Sequence, residues 1–171
     1  MNPRVVPLLV AVVLFCAAGF FMLVRSSRPD PAPAGIPEAL CVKQAVIPPG
    51  SSPPVGPYTP AVQVGNMLFL SGQIGLDPAS GEMVEGGTIG QARQAMENLR
   101  TLLTAAGLDF SDVVRATVYL ADLDEYAAFN AEYARYFSTL PPARVCIEVA
   151  RLPLDARVEI SMIAVASDAA G

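Results

Sequence analysis

The chain has 171 residues, with 11 Lys or Arg against 16 Asp or Glu, for a formal net charge of −5. Cations this sparse leave no basic footprint for a phosphate backbone, so no nucleic-acid partner is expected. There is no histidine, and the three cysteines, Cys16, Cys41 and Cys146, stand far apart. The paired ligands of a zinc site and the usual general base are therefore missing, no metal is expected, and any chemistry must rest on carboxylates, Arg, Tyr, Ser, backbone groups and water.

The first element is an uncharged apolar run at residues 5–24, VVPLLVAVVLFCAAGFFMLV. Roughly 20 apolar residues suffice to cross a bilayer as a helix, so residues 1–25 are read as a membrane anchor. A cleaved signal peptide, with APA at 32–34 as its site, and a buried core helix are the alternatives. Arg4 and the amino terminus face Arg25 and Arg28 across the run, a near tie under the positive-inside rule. The expectation is an uncleaved signal anchor with the domain periplasmic or otherwise extracytoplasmic. The cytoplasmic face, or export after cleavage, is the alternative. Residues 26–41 are rich in Pro and Ala and read as an extended tether. The domain is placed at 42–167, with a short tail at 168–171.

Within the domain, VKQAVI (42–47) is a strand candidate, and the prolines of 48–60 forbid a helix there. AVQVGNMLFLSGQ (61–73) reads as a hairpin around Gly65-Asn66, and LDPASGE (76–82) as a turn. From Thr88 to Ala106 the apolar residues Ile89, Ala92, Met96, Leu99, Leu102 and Leu103 recur at helical spacing, with Thr88 as the expected N-cap and Gly107 as the stop. DVVRATVYLAD (112–122) alternates, with Val114, Ala116, Val118 and Leu120 expected on one face. A second helix is expected to be capped near Asp124, with Phe129, Tyr133 and Phe137 on one stripe and Tyr126 and Tyr136 beside it. Two strands follow, ARVCIEVA (143–150) and RVEISMIAVA (157–166). The order predicts one α+β domain, a sheet with two helices on one face.

Alternation places Arg144, Cys146 and Glu148 on one face of the penultimate strand, and Arg157, Glu159 and Ser161 on one face of the last. The short link at 151–156 predicts that these strands are neighbours, with Arg144 near Glu159 on the polar face. Two readings stay open on the residues alone. One is a solvated cross-strand ion pair. The other is a small-molecule site, in which Arg144 grips a carboxylate with two parallel hydrogen bonds and a nearby Glu orients a water.

Three motifs carry a resemblance: GPYTPAVQVGNMLFLSGQIGLDPASGEM, QARQAMENLRTLLTAAGLDFSDVVRATVYLADLDEYAAFNAEYARYF and PPARVCIEVARLPLDARVEISMIAV. In this order, over residues 43–166, they resemble the RidA/YjgF family of enamine/imine deaminases. The resemblance implies a chorismate-mutase-like α+β fold, and a homotrimer that packs its sheets inwards with three sites at the subunit clefts. The implied activity is hydrolysis of reactive enamines and imines, such as 2-aminoacrylate, to 2-keto acids and ammonia, without a cofactor. By position, Arg144 would bind the substrate carboxylate and Glu159 would position the attacking water. Tyr58, Ser71, Gly72 and Asn130 would line the cleft, and the backbone around Cys146 would contact the substrate nitrogen.

The chain departs from the family pattern at three places. Gly75 stands where the family usually has proline and is expected to loosen the loop after the pocket strand. Val145 follows the arginine where Ser or Thr is common, which implies one hydroxyl fewer near the site. Ser161 replaces a second acidic residue. A membrane-tethered trimer that binds a small molecule or acts as a regulatory, chaperone-like protein without turnover is the alternative function. Chorismate mutase shares the fold, but its dianionic substrate calls for more cations than one arginine. No disulfide is predicted from the spacing of Cys41 and Cys146.

Overall fold

The two apolar runs around Gly65-Asn66 pair as strands β2 (Ala61–Val64) and β3 (Met67–Gln73), with Gly65 in the left-handed conformation at φ 58°. A computed structural model describes residues 42–48, 54 and 56–167 of the chain. The expected anchor at 5–24, the tether and the tail lie outside the described residues. Among the described residues, no helix is long and apolar enough to cross a membrane.

Strand β1 (Lys43–Val46) pairs with β2, and the chain continues through helix α1 (Gly87–Ala105), strand β4 (Val113–Leu120), helix α2 (Tyr126–Tyr133), strand β5 (Ala143–Glu148) and strand β6 (Val158–Val165). The sheet order is β1-β2-β3-β6-β4-β5. Only β4 and β5 run parallel, as strands joined through a helix do. This corrects the expected adjacency of β5 and β6, because β4 lies between them. The link at 149–157 is long enough to step over one strand, and the helical crossover from β4 to β5 claims the place beside β4.

Both helices cover one face. Leu68, Leu70, Ala116, Val118, Leu120, Val158, Ile160 and Met162 from the sheet meet Ala95, Met96, Leu99 and Leu103 of α1 and Phe129 of α2 in one core. Burying a large apolar side chain this completely stabilises the fold by about 1.5–3 kcal/mol each. The helices are also tied by Glu132, which is 7% exposed and accepts from Arg93 Nε at 3.0 Å, Arg93 Nη2 at 3.1 Å and Arg135 Nη1 at 3.1 Å. These bonds hold its carboxyl below the usual carboxylate range, with the Arg93 hydrogen bond the largest cause.

Three local expectations change. The N-cap of α1 is Gly86, at φ 99°, and not Thr88. Thr88 is 1% exposed, and its hydroxyl donates to Glu125 on the turn before α2. A tertiary partner has displaced the local cap. The stop does fall at Gly107, whose φ of 74° allows N–H bonds from Gly107 to Thr104 O at 3.0 Å and from Leu108 to Leu103 O at 2.9 Å, a Schellman closure. On β4 the register shifts between Val113 and Arg115, so Val113 is buried and Val114, expected inside, is 48% exposed. A bulge gives β4 one extra residue and reverses the alternation before it. Before α2, the capping oxygen belongs to Asp122, which accepts from the Asp124 N–H at 2.9 Å.

Candidate active site

Strand β5 is the sheet edge, and its register places Arg144 beside Ala116 and Cys146 beside Val118. Ala116 and Val118 are both 0% exposed in the core beneath the helices. Arg144 therefore lies on the helix-covered face, where α2 overhangs the edge. Its guanidinium carbon is 4.6 Å from the Tyr133 ring centroid, 5.6 Å from that of Phe129 and 5.7 Å from that of Tyr126. Its Nη2 donates to Asn130 Oδ1 at 2.5 Å and to Tyr126 Oη at 3.3 Å. Three aromatic faces and an amide thus fix the cation's position. Among the described residues, Arg144 has no carboxylate partner.

Arg144, Tyr126, Asn130 and Tyr133 line an open cavity of 580 Å³ together with Leu123, Phe137, Pro141 and Pro142, with Cys146 on its wall. Burial pushes the Cys146 thiol up, against a smaller opposing effect of Arg144, so it stands at neutral pH as a thiol and not as a nucleophilic thiolate. Burial pushes the Tyr133 hydroxyl up to about 12, again against Arg144. Among the described residues, that buried hydroxyl has no hydrogen-bond partner, and its ring serves as a plate for the guanidinium. The site can accept a small anion against one geometrically fixed arginine that no described carboxylate neutralises.

The second group of expected residues gathers elsewhere. Tyr58, Ser71, Gly72 and Glu159 line a groove with Gln73, Ile74, Leu76, Asn98 and Pro153. Glu159 pairs with Tyr119 on β4, one step out of phase with Val118, and so faces away from the helices. The β3–β6 register shifts between Leu70 and Gln73, and this irregularity sets Gly72 against Glu159. A Cβ at Gly72 would lie 1.9 Å from Glu159 Oε1, so only glycine lets that carboxylate lie across the strand. The Ser71 hydroxyl donates to Thr59 O at 2.7 Å, which pins the segment carrying Tyr58. Asn98 of α1 donates to Ile74 O at 3.3 Å and Leu76 O at 2.9 Å, bracing the loop beyond.

Gly75 belongs to that loop. It is buried, a Cβ there would come within 2.6 Å of Gln91 Cα, and its carbonyl accepts from Val84 N at 2.9 Å. The glycine permits a close approach to α1, where a loosened loop was expected.

Burial raises the Glu159 carboxyl above the usual carboxylate range. For an acid, a raised folded-state pKa contributes stability below the unfolded value and loses it as pH rises through the folded value. At neutral pH the ionised carboxylate is a cost to the fold. In the single, unassembled chain Glu159→Gln should therefore raise Tm at neutral pH, and this gain should vanish in acid below the ordinary glutamate pKa. Thermal unfolding of both chains at the two pH values checks the sign.

The expected residues thus divide into two clusters. Arg144, Asn130 and Cys146 are together, as are Tyr58, Ser71, Gly72 and Glu159, but Arg144 and Glu159 are not neighbours on a polar face. They occupy opposite faces of the sheet with β4 between their strands. Val145, paired with Thr117, is 41% exposed on the face opposite Arg144, so the hydroxyl it lacks would not have stood beside Arg144 in the same chain. Tyr126 and Tyr133 were not foreseen as site residues. Their signal lies in the spacing of Tyr126, Asn130, Tyr133 and Phe137 at i, i+4, i+7 and i+11, which sets one polar residue within an aromatic helix face.

Residues 49–166 match the family described as Endoribonuclease L-PSP. The chain is 55% identical over 113 residues to Protein DfrA of Myxococcus xanthus, covering 65% of this chain and 86% of that one. It is 50% identical over 111 residues to the 2-iminobutanoate/2-iminopropanoate deaminase of Capra hircus, covering 65% and 81%. Among solved structures, RidA from the Antarctic bacterium Psychrobacter sp. PAMC 21119 matches with a TM-score of 0.69 at 38% identity, over 72% of this chain and 99% of that one. E. coli TdcF, solved with bound serine, matches with a TM-score of 0.68 at 38% identity, over 72% and 99%.

Proposed function

Because the chain belongs to the Endoribonuclease L-PSP family, the family of RidA and YjgF, we propose that it hydrolyses reactive enamines and imines of the 2-aminoacrylate type to 2-keto acids and ammonia. The observation that carries this reading is Arg144, an arginine fixed by Asn130 and three rings, open to a cavity and unpaired with any described carboxylate. Such a group is suited to the carboxylate of a 2-imino acid. The deaminase name borne by a relative at 50% identity, and the serine bound to another, both point to small carboxylate-bearing substrates.

The mechanism needs no histidine. The imine carbon is already electrophilic, so the protein's work is to orient it and supply a water. Arg144 holds the carboxylate. Glu159 takes a proton from the attacking water as the new C–O bond forms at the carbon of the protonated imine and the C=N pair returns to nitrogen, giving a neutral carbinolamine. Glu159 returns that proton to the nitrogen, and as the C–N bond breaks the hydroxyl gives its own proton to Glu159 and becomes the carbonyl, while ammonia leaves and carries this last proton away as ammonium. The raised pKa of Glu159 suits a group that must both accept and return a proton.

A site that uses both residues has to be built from two copies of the chain, since within one chain they face opposite sides of the sheet. The face turned from the helices supports such an assembly. It exposes Met67 at 37%, Phe69 at 40%, Val145 at 41% and Ile147 at 45%, a patch of the kind that meets another protein surface. The proposed assembly is a homotrimer in which the Arg144 cavity of each copy meets the Glu159 groove of the next.

The test uses the full-length chain with a pyridoxal-phosphate lyase that generates 2-aminoacrylate, following keto-acid release. The expected result is faster release than the uncatalysed decay. An assembled, folded chain that binds a keto acid but gives no acceleration would overturn the catalytic reading in favour of a binding protein.

A further inference from the structure

Arg144 Nη2 serves two acceptors at once, Asn130 Oδ1 at 2.5 Å and Tyr126 Oη at 3.3 Å. A guanidinium offers two edges for a bidentate carboxylate, Nε with Nη2 and Nη1 with Nη2. Both include Nη2. A carboxylate that takes two parallel bonds from Arg144 must therefore compete with one of these acceptors. The Asn130 bond is short and half-buried. The Tyr126 bond is long, and Tyr126 is 41% exposed at the cavity wall. Tyr126 is the partner that yields.

A phenol oxygen both accepts and donates. The Tyr126 oxygen accepts from Arg144, and no described group takes its proton. We propose that Tyr126 Oη holds the position of a substrate carboxylate oxygen on Arg144 and, once displaced, donates its proton to that carboxylate. Tyr126 is then a second carboxylate-binding residue, which restricts the substrate class to free acids over their esters and amides. The inference rests on the carboxylate-anchoring role proposed for Arg144.

The test is calorimetric binding of pyruvate and of methyl pyruvate to the full-length chain, its Tyr126→Phe variant and its Arg144→Ala variant. Phe keeps the ring over the guanidinium and removes only the hydroxyl. Losing one charge-assisted hydrogen bond should weaken pyruvate binding about tenfold. Binding of the uncharged ester should be the same in wild type and Tyr126→Phe. During turnover the loss should appear in KM more than in kcat. Equal or tighter pyruvate binding by Tyr126→Phe overturns the inference. If Arg144→Ala still loses pyruvate in that case, the reading of Arg144 stands and only the role of Tyr126 falls. If Arg144→Ala binds pyruvate as wild type does, both fall.

Discussion

Arg144→Ala is expected to lower kcat/KM for imine hydrolysis by roughly a thousandfold, the sum of two lost charge-assisted hydrogen bonds of about 1.5–3 kcal/mol each at 1.4 kcal/mol per decade. The loss should not come from unfolding. Arg144 is half-buried on an edge strand, and among the described residues its hydrogen bonds reach only Asn130 and Tyr126. The core beside it, Ala116, Val118 and Phe129, is closed by apolar contacts that the substitution leaves in place. Arg144→Lys keeps the charge but loses the planar fork and the stacking on Tyr133. Its activity should therefore fall between that of wild type and Arg144→Ala. Steady-state kinetics with keto-acid detection, with thermal unfolding as the control, separates these outcomes. If Arg144→Ala retained wild-type kcat/KM, the carboxylate would have to be held elsewhere.

Arg144 was legible in the sequence as a candidate, but its surroundings were not. Alternation correctly grouped Arg144 with Cys146 and Glu148. It could not say which face of the sheet they share, because that depends on β5 pairing with β4 in the register Ala116 to Arg144. A short link suggested that β5 and β6 were neighbours, yet strand order is a tertiary property, and the helical crossover from β4 decided it. Hairpin and helix ends fared well where chemistry is local, as at Gly65-Asn66 and Gly107. They failed where a distant partner intervened, as when Glu125 drew Thr88 from the cap position. The bulge at Val114 left no mark in the sequence that would distinguish it from unbroken alternation. The family motifs named Tyr58, Ser71, Gly72, Asn130 and Glu159 from the sequence, but only the folded chain separates them into two clusters. Tyr126 escaped notice because an aromatic residue on a helix stripe usually belongs to the core, whereas here it turns its hydroxyl to the arginine.

That separation supports the second large effect. If each site takes Arg144 from one copy and Glu159 from another, then breaking the two residues in different chains damages each homotrimer completely but a mixture only in part. Arg144→Ala chains retain an intact Glu159 groove, and Glu159→Gln chains retain an intact Arg144 cavity. Arg144 lies on the face opposite Phe69 and Ile147, and Glu159, which shares their face, is replaced by a side chain of the same size and shape, so the chains should co-assemble. In an equal, random mixture, half of the positions supplying Arg144 and half of those supplying Glu159 are intact. About a quarter of the sites should therefore hold both residues in a closed ring.

The measurement is imine hydrolysis by full-length Arg144→Ala and Glu159→Gln chains, assayed alone and after co-expression in equal amounts. Each variant alone should be nearly inactive, and their mixture should recover about a quarter of wild-type activity, the fraction set by random closure of the ring. A mixture that stays inactive, although the chains co-assemble and the wild type is active, would show that Arg144 and Glu159 do not meet across a subunit boundary and would contradict the proposed site.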